Sequence, residues 1–339
     1  MTDKYIIIDA HVHLWEKQAG MVNGMPVYGL GNGKSSFLGE VHQMMPPYME
    51  DNRNTAERLI ANMDYAGVCG CAVTQEYLDG NQDEYLLQVR SKYPDRFRIT
   101  ALYEDENMPG EDEIDQEISK HIVKEDKVSL NTGRIEKQHV SNSPVENGIN
   151  GGRYRLDGFD GMKICACRLK DKDLTHMLDV FKKVEAAGKY ISIDMADGDE
   201  QTDSMKAVIE QCPDLRIAIG HFGMVTTLGW QKQIELARYK NVYVESGGLT
   251  WLFHKEFYPY PSAIDAILEA RDICGIEKLM WGSDYPRTMT DITYKSAVRF
   301  IIESSKLTDA EKRAFLGENA VRFYGFEGLE PLPEIANML

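Results

Sequence analysis

Tyr5-Ile6-Ile7-Ile8-Asp9-Ala10-His11-Val12-His13-Leu14 is the stretch on which the reading of this chain turns. Ile6, Ile7 and Ile8 form the short β-branched apolar run that a fully buried parallel strand needs. Side chains alternate between the faces of a strand, so Asp9, His11 and His13 are expected on one face. Two imidazoles spaced this way at the end of a buried strand can converge on one metal ion. A single strand histidine is more often a satisfied core or surface residue, so the pair alone leaves ligation and coincidence open.

Beyond it the chain repeats a βα pattern. Asn54 or Thr55 is placed to cap a helix running to about Ala66 and ended by Gly67, with Leu59, Ile60, Met63 and Ala66 on one face. Further buried strands are expected over 68–74, 97–102, 161–167, 190–195, 216–220, 242–245 and 278–282. Helices are expected over 84–92, 174–187, 202–211, 228–239, 262–274, 291–304 and 309–324. The last opens on Thr308 with Glu311 three residues on, a capping box. Eight such repeats predict a single-domain (β/α)8 TIM barrel spanning 1–339.

Two segments interrupt the pattern. Residues 15–51, rich in Gly, Pro, Met and Asn, read as a long irregular loop that would lie over the pocket mouth like a lid. Residues 104–160 read as an insertion: an acidic helix near 111–124, then a polar stretch. That stretch holds the turn dipeptides Asn147-Gly148, Asn150-Gly151 and Asp157-Gly158. It has too few apolar residues for a core of its own.

The 339 residues are 43% hydrophobic, enough for one sizeable core. No apolar run approaches the roughly 20 residues that span a bilayer, and the start lacks a signal-peptide pattern. A cytoplasmic protein is therefore expected. A net charge of −16 argues against nucleic acid and anionic membranes as partners. It does not exclude a small anionic substrate met by local Lys or Arg. The six cysteines include Cys69-x-Cys71 and Cys165-x-Cys167, each read on a strand; buried reduced thiols explain them better than a zinc site.

In a barrel of this kind the chemistry lies at the C-terminal strand ends. The polar residues ending the apolar runs are His11 and His13, Lys163, Asp194, His221, Glu245 and Asp284. Three histidines with carboxylates suit one divalent metal ion, Zn²⁺ foremost with Mn²⁺ or Fe²⁺ also fitting, better than oxygen-only Mg²⁺ or Ca²⁺. Trp15, Trp251, Phe253, Tyr258 and Tyr260 either line an aromatic pocket or simply pack.

His11-x-His13, Gly220-His221 and Trp281-Gly282-Ser283-Asp284-Tyr285-Pro286 together resemble the amidohydrolase superfamily. More narrowly the chain resembles the amidohydrolase-related branch of aminocarboxymuconate-semialdehyde decarboxylase, γ-resorcylate decarboxylase and pyrone-dicarboxylate lactonase. The stretches 62–68 and 318–325 support that branch. The resemblance implies His11, His13 and Asp284 as metal ligands and His221 as the acid/base or polarising group. It also breaks at strand five, where the decarboxylases carry a histidine and this chain has Asp194. Asp194 is then a ligand or a neighbouring polar group, or the site is metal-free as in the pyrone lactonase. Lys163 pairs with Asp194, Glu245 or substrate in one reading, and in the other is carboxylated to bridge two metals. Arg287 is either a carboxylate clamp for substrate or a surface ion pair. Asp9 is expected to orient a ligand imidazole through its second nitrogen.

These features imply a metal-dependent hydrolase acting on a small anionic cyclic or aromatic carboxylate through a lactone, ester or amide bond. A non-oxidative decarboxylase of an aromatic or muconate-type carboxylate is the alternative, and a non-catalytic ligand-binding barrel a third. A metal-dependent nuclease is disfavoured by the acidic surface. Assembly as a homodimer or higher homo-oligomer is expected.

Overall fold

Eight parallel strands, each a short buried run, form one sheet in which neighbours follow chain order. The computed structural model describes residues 4–122, 144–147 and 152–335. The strands are β1 (Ile8–Val12), β2 (Ala19–Val22), β3 (Met25–Gly31), β4 (Lys34–Phe37), β5 (Glu40–Gln43), β6 (Gly70–Val73) and β7 (Phe97–Leu102). They continue with β8 (Glu146–Asn147), β9 (Arg153–Tyr154), β10 (Gly161–Ile164), β11 (Tyr190–Ile193), β12 (Arg216–Ile219), β13 (Val242–Glu245) and β14 (Leu279–Met280). The barrel uses β1, β6, β7 and β10 to β14. Its ends are joined beside the last strand, where Ala10 N–H donates to Trp281 O at 2.9 Å and Asp284 N–H to His11 O at 2.9 Å.

The helices are α1 (Ala56–Ala66), α2 (Asp83–Lys92), α3 (Glu111–Ile122), α4 (Leu178–Ala186), α5 (Thr202–Gln211) and α6 (Gln231–Glu235). They are followed by α7 (Leu249–Leu252), α8 (Pro261–Cys274), α9 (Tyr294–Glu303), α10 (Asp309–Arg313) and α11 (Asn319–Tyr324). Gly67 ends α1 at φ 80°, and the Thr308–Glu311 capping box forms as expected. The expected final helix is one path with a π turn, Ala314–Glu318, between α10 and α11. Gly317 sits in that turn because a Cβ there would collide with Ile6 O.

The lumen changes character along its length. At one end Phe323 and Tyr324 of α11 pack on Tyr190, Ile8, Ala10, Ala72, Ala218 and Met280. Toward the strand C-termini the buried residues become polar: Lys163, Ser192, Asp194 and Glu245. The helices' apolar faces cover the outside through a continuous cluster that includes Leu59, Leu86, Phe181, Ile234 and Val298.

The segment 15–51 corrects the expectation of an irregular loop. β2 to β5 form a four-stranded antiparallel meander. Its turns are Asn23-Gly24, Asn32-Gly33 and Leu38-Gly39, each with positive φ at both central residues, as type I′ hairpins require. The two Asn-Gly pairs carried that signal in the sequence. Met21 and Tyr28 pack on Ile114 and Ile118 of α3, so the acidic helix of the second interruption is the meander's support. Of the turn dipeptides expected there, residues 148–151 lie outside the described residues, while Gly158 turns with φ 84°. The Cys165/Cys167 pair is not on a strand: β10 ends at Ile164 and the chain coils into a 3₁₀ turn, Ala166–Arg168. All six cysteines are free.

Gly317→Ala should destabilise the fold by about 1–3 kcal/mol, read as a lower midpoint in denaturant unfolding. Asp83 accepts from Gln75 Nε2 (2.8 Å) and Leu102 N (3.1 Å), and burial pushes its carboxyl up to about 6. The folded state therefore binds the extra proton, and this group's contribution to stability falls as pH rises from about 4 to about 6. Asp83→Asn keeps the acceptor oxygen and removes the titration. The variant should gain on wild type by up to about 3 kcal/mol across that range, measured by unfolding at both ends of it.

Candidate metal centre

The polar ends of the barrel strands meet at the lumen mouth. His11 Nε2 lies 3.1 Å from His13 Nε2, and His13 Nε2 lies 3.0 Å from Asp284 Oδ1. The His221 ring stands 4.6 Å from the His11 ring, with its Nε2 3.7 Å from Asp194 Oδ2. Two overlapping donor sets result, His11–His13–Asp284 and His11–Asp194–His221, each with ligand atoms within 4.8 Å of one another. His221 and Asp284 both have left-handed backbones, φ 55° and φ 60°. Such conformations are costly for side-chain-bearing residues and concentrate at functional sites.

The partners fix which ring nitrogens face inward. His11 Nδ1 is 2.6 Å from Glu245 Oε1, and a carboxylate only accepts, so Nδ1 carries the proton. His221 Nδ1 likewise donates to Gly247 O at 2.9 Å. In their neutral forms both rings turn an Nε2 lone pair into the cluster. Glu245 also accepts from Gly247 N (2.6 Å) and His221 N (3.3 Å), so one carboxylate holds the His11 ring and the backbone of His221 and Gly247.

These donors fit a divalent cation. Acceptor faces acceptor at the cluster centre, and the buried Asp194 Oδ1 has no hydrogen-bond partner. The carboxylates of Asp194, Glu245 and Asp284 outnumber the one ammonium among them, Lys163. That ammonium lies 2.6 Å from Asp194 Oδ2, off the line of a directed hydrogen bond. The charges of the cluster hold one another in their ionised forms. Burial alone would lower His221, but Asp194 and Asp284 lift it to about 10. Burial would raise Asp284, yet the His13 hydrogen bond and the nearby imidazoles hold it well below the usual range. Against burial, Lys163 does the same for Asp194. His11 is lowered by burial.

Among the expected site residues, the structure brings together His11, His13, Lys163, Asp194, His221 and Asp284. Arg287 sits one ring away. It contacts Thr290 Oγ1, lies 3.8 Å from Asp291, and stacks 5.7 Å from the Trp251 ring centre. Trp251 itself donates to Asp284 Oδ2. Of the other aromatics, Trp15 donates to Asn52 O beside Met45 and Met49, and Tyr260 packs on Phe300.

Asp9 is a correction. It orients no imidazole: it accepts from Tyr294 OH (2.7 Å), Ser283 N (2.8 Å) and His11 N (3.2 Å), and burial pushes its carboxyl up to about 7. The β1 ladder is irregular between Asp9 and Val12, so strict alternation does not carry from Asp9 to His11. Glu245, two strands away across the β1–β14 closure, holds the imidazole instead. Asp79 was not anticipated either. Its Oδ2 lies 3.7 Å from the otherwise unpartnered His13 Nδ1, and burial raises its carboxyl to about 7.

The sequence profile of the Amidohydrolase family matches residues 8–326, and the chain belongs to that family of enzymes. No curated protein sequence matches it. Among solved structures, an amidohydrolase from Burkholderia multivorans with bound zinc is 16% identical, with 94% of this chain and 99% of that one covered and a TM-score of 0.60. A probable 2-pyrone-4,6-dicarboxylic acid hydrolase from Acinetobacter baumannii with citric acid bound is 17% identical, at the same coverage and TM-score. Amidohydrolase 2 from Bifidobacterium longum subsp. infantis is 17% identical, with 95% and 99% covered and a TM-score of 0.56. At these identities the likeness establishes the shared barrel. Among the described residues, no helix is long and apolar enough to cross a membrane.

If Glu245 sets the His11 ring, Glu245→Gln should weaken Zn²⁺ binding about 10- to 100-fold. Competition against a chromophoric chelator measures this, and an unchanged affinity would remove Glu245 from the centre.

Proposed function

We propose that this enzyme is a metal-dependent hydrolase of a small anionic cyclic or aromatic carboxylate, cleaving a lactone, ester or amide bond. The convergence of three inward-facing Nε2 atoms with the Asp284 and Asp194 carboxylates carries this reading. His11, His13 and Asp284, with Asp194, would hold one divalent ion, Zn²⁺ foremost. Such an ion supplies Lewis acidity, polarising a carbonyl and lowering the pKa of water toward about 7.

The chain's own groups have distinct tasks in this reading. Asp284 turns Oδ1 to the imidazoles, and its carboxylate is the group that would take a proton in this reading. His221, with Nδ1–H fixed on Gly247 O, has only Nε2 free to give or take one. Lys163 is buried and charged, and burial is outweighed by Asp194 in keeping it so. It supplies the positive charge an anionic substrate needs inside an acidic protein. Arg287, at the mouth, would meet a second anionic group by leaving its Thr290 contact. The zinc in one structural relative and citric acid in another support both halves of the proposal.

The test is a panel of small lactones, hydroxybenzoates and muconate derivatives offered to Zn²⁺- and Mn²⁺-loaded protein, following ring opening against CO₂ release. Hydrolysis is expected, and Asp284→Asn should reduce it by about 10²-fold or more, the lower end of what a positioned proton-transfer group contributes. CO₂ release without hydrolysis would replace the proposal with the decarboxylase. Protein that binds no metal and turns over nothing would point to the non-catalytic barrel.

A further inference from the structure

Trp251 stands on α7, the helical turn after β13, and its indole reaches back into the centre. Its Nε1–H donates to Asp284 Oδ2 at 2.7 Å. The other oxygen, Oδ1, lies 3.0 Å from His13 Nε2 and 3.6 Å from His11 Nε2. The carboxylate thus turns one oxygen to the imidazoles and has the other tied to an indole, a donor that can never accept.

The indole is itself held. The Arg287 guanidinium lies over it, and the His221 ring meets it edge-on with centroids 6.1 Å apart. Gly248 makes its place: at φ 81° it favours glycine, and a Cβ there would collide with Trp251 Nε1. The backbone on both sides of the bond is therefore shaped for it, since Asp284 also holds a left-handed φ.

The geometry points to Trp251 as a positioning residue that fixes Asp284 as a one-oxygen ligand for a divalent ion held with His11 and His13. This rests on the metal-centre reading above. The last torsion of an aspartate has a broad, two-fold profile, so without a fixed donor the two oxygens exchange places readily. The indole bond removes that freedom before the ion arrives. Arg287 acts on the centre through this ring, which gives the residue a role in the absence of substrate.

The test uses the full chain and Zn²⁺ alone. In a ¹⁵N-indole spectrum of the four tryptophans, the resonance missing in Trp251→Phe is that of Trp251. It should lie downfield and move upfield in Asp284→Ala. Trp251→Phe should bind Zn²⁺ about 10- to 100-fold more weakly in chelator competition, while metal-free wild type and variant melt alike. Gly248→Ala should weaken Zn²⁺ binding in the same direction. An indole resonance unmoved in Asp284→Ala, or wild-type Zn²⁺ affinity in Trp251→Phe, would overturn the proposal and leave the centre standing. Wild-type protein that takes up no Zn²⁺ would sink the metal-centre reading itself, and this inference with it.

Discussion

In the lumen of this barrel one buried carboxylate, Glu245, accepts from the His11 ring, the His221 backbone and the Gly247 backbone. These groups come from the first, sixth and seventh barrel strands or the turns that follow them, so a single side chain ties three strand ends into one geometry. A buried carboxylate is costly unless its lone pairs are met. Here they are met by the His11 ring and by the backbone that carries His221 and Gly247. The glycines around it belong to the same constraint. A Cβ at Gly247 or Gly282 would approach Glu245 Oε2 to 2.9 Å.

Around this hub the lumen divides its labour. Aromatic residues of α11 close the end where the strands begin, through an apolar set that excludes water. The opposite end gathers carboxylates, imidazoles and one lysine in a low-dielectric pocket, where each charge acts strongly on the next. Such a group contributes little to stability and can cost it. Its arrangement makes sense as preparation for a ligand that brings positive charge. The Lys163–Asp194 pair keeps part of that charge balanced and leaves one Asp194 oxygen unpartnered.

The meander joins this chemistry to the protein's outer surface. Ser35 Oγ donates to Gln18 Oε1 at 2.5 Å, Gln18 Nε2 donates to Asp79 Oδ1 at 3.1 Å, and Asp79 faces His13. A chain of contacts thus runs from β4 to the His13 imidazole. At Gly20 the meander lies so close to the Tyr77–Leu78 backbone that a side chain there would collide with it. The segment is fastened at the mouth by both packing and hydrogen bonds.

The barrel and most of the residues at its mouth can be read from the order of residues alone. Buried parallel strands need unbroken apolar runs, and the residue ending each run must lie at the catalytic rim. Lys163, Asp194, His221 and Asp284 were legible in this way, as was the Thr308 cap. The Asn-Gly turns of the meander were legible too, but Gly-rich composition masked their hairpin meaning. Which carboxylate serves which imidazole emerges only in the folded barrel. A local irregularity in β1 broke the alternation that would have given Asp9 to the histidines. Partners such as Glu245 for His11, Trp251 for Asp284 and Asp79 for His13 are separated by 33 to 234 residues along the chain. Periodicity is a property of neighbours in sequence, whereas these pairings exist because a closed barrel brings its strand ends to one rim.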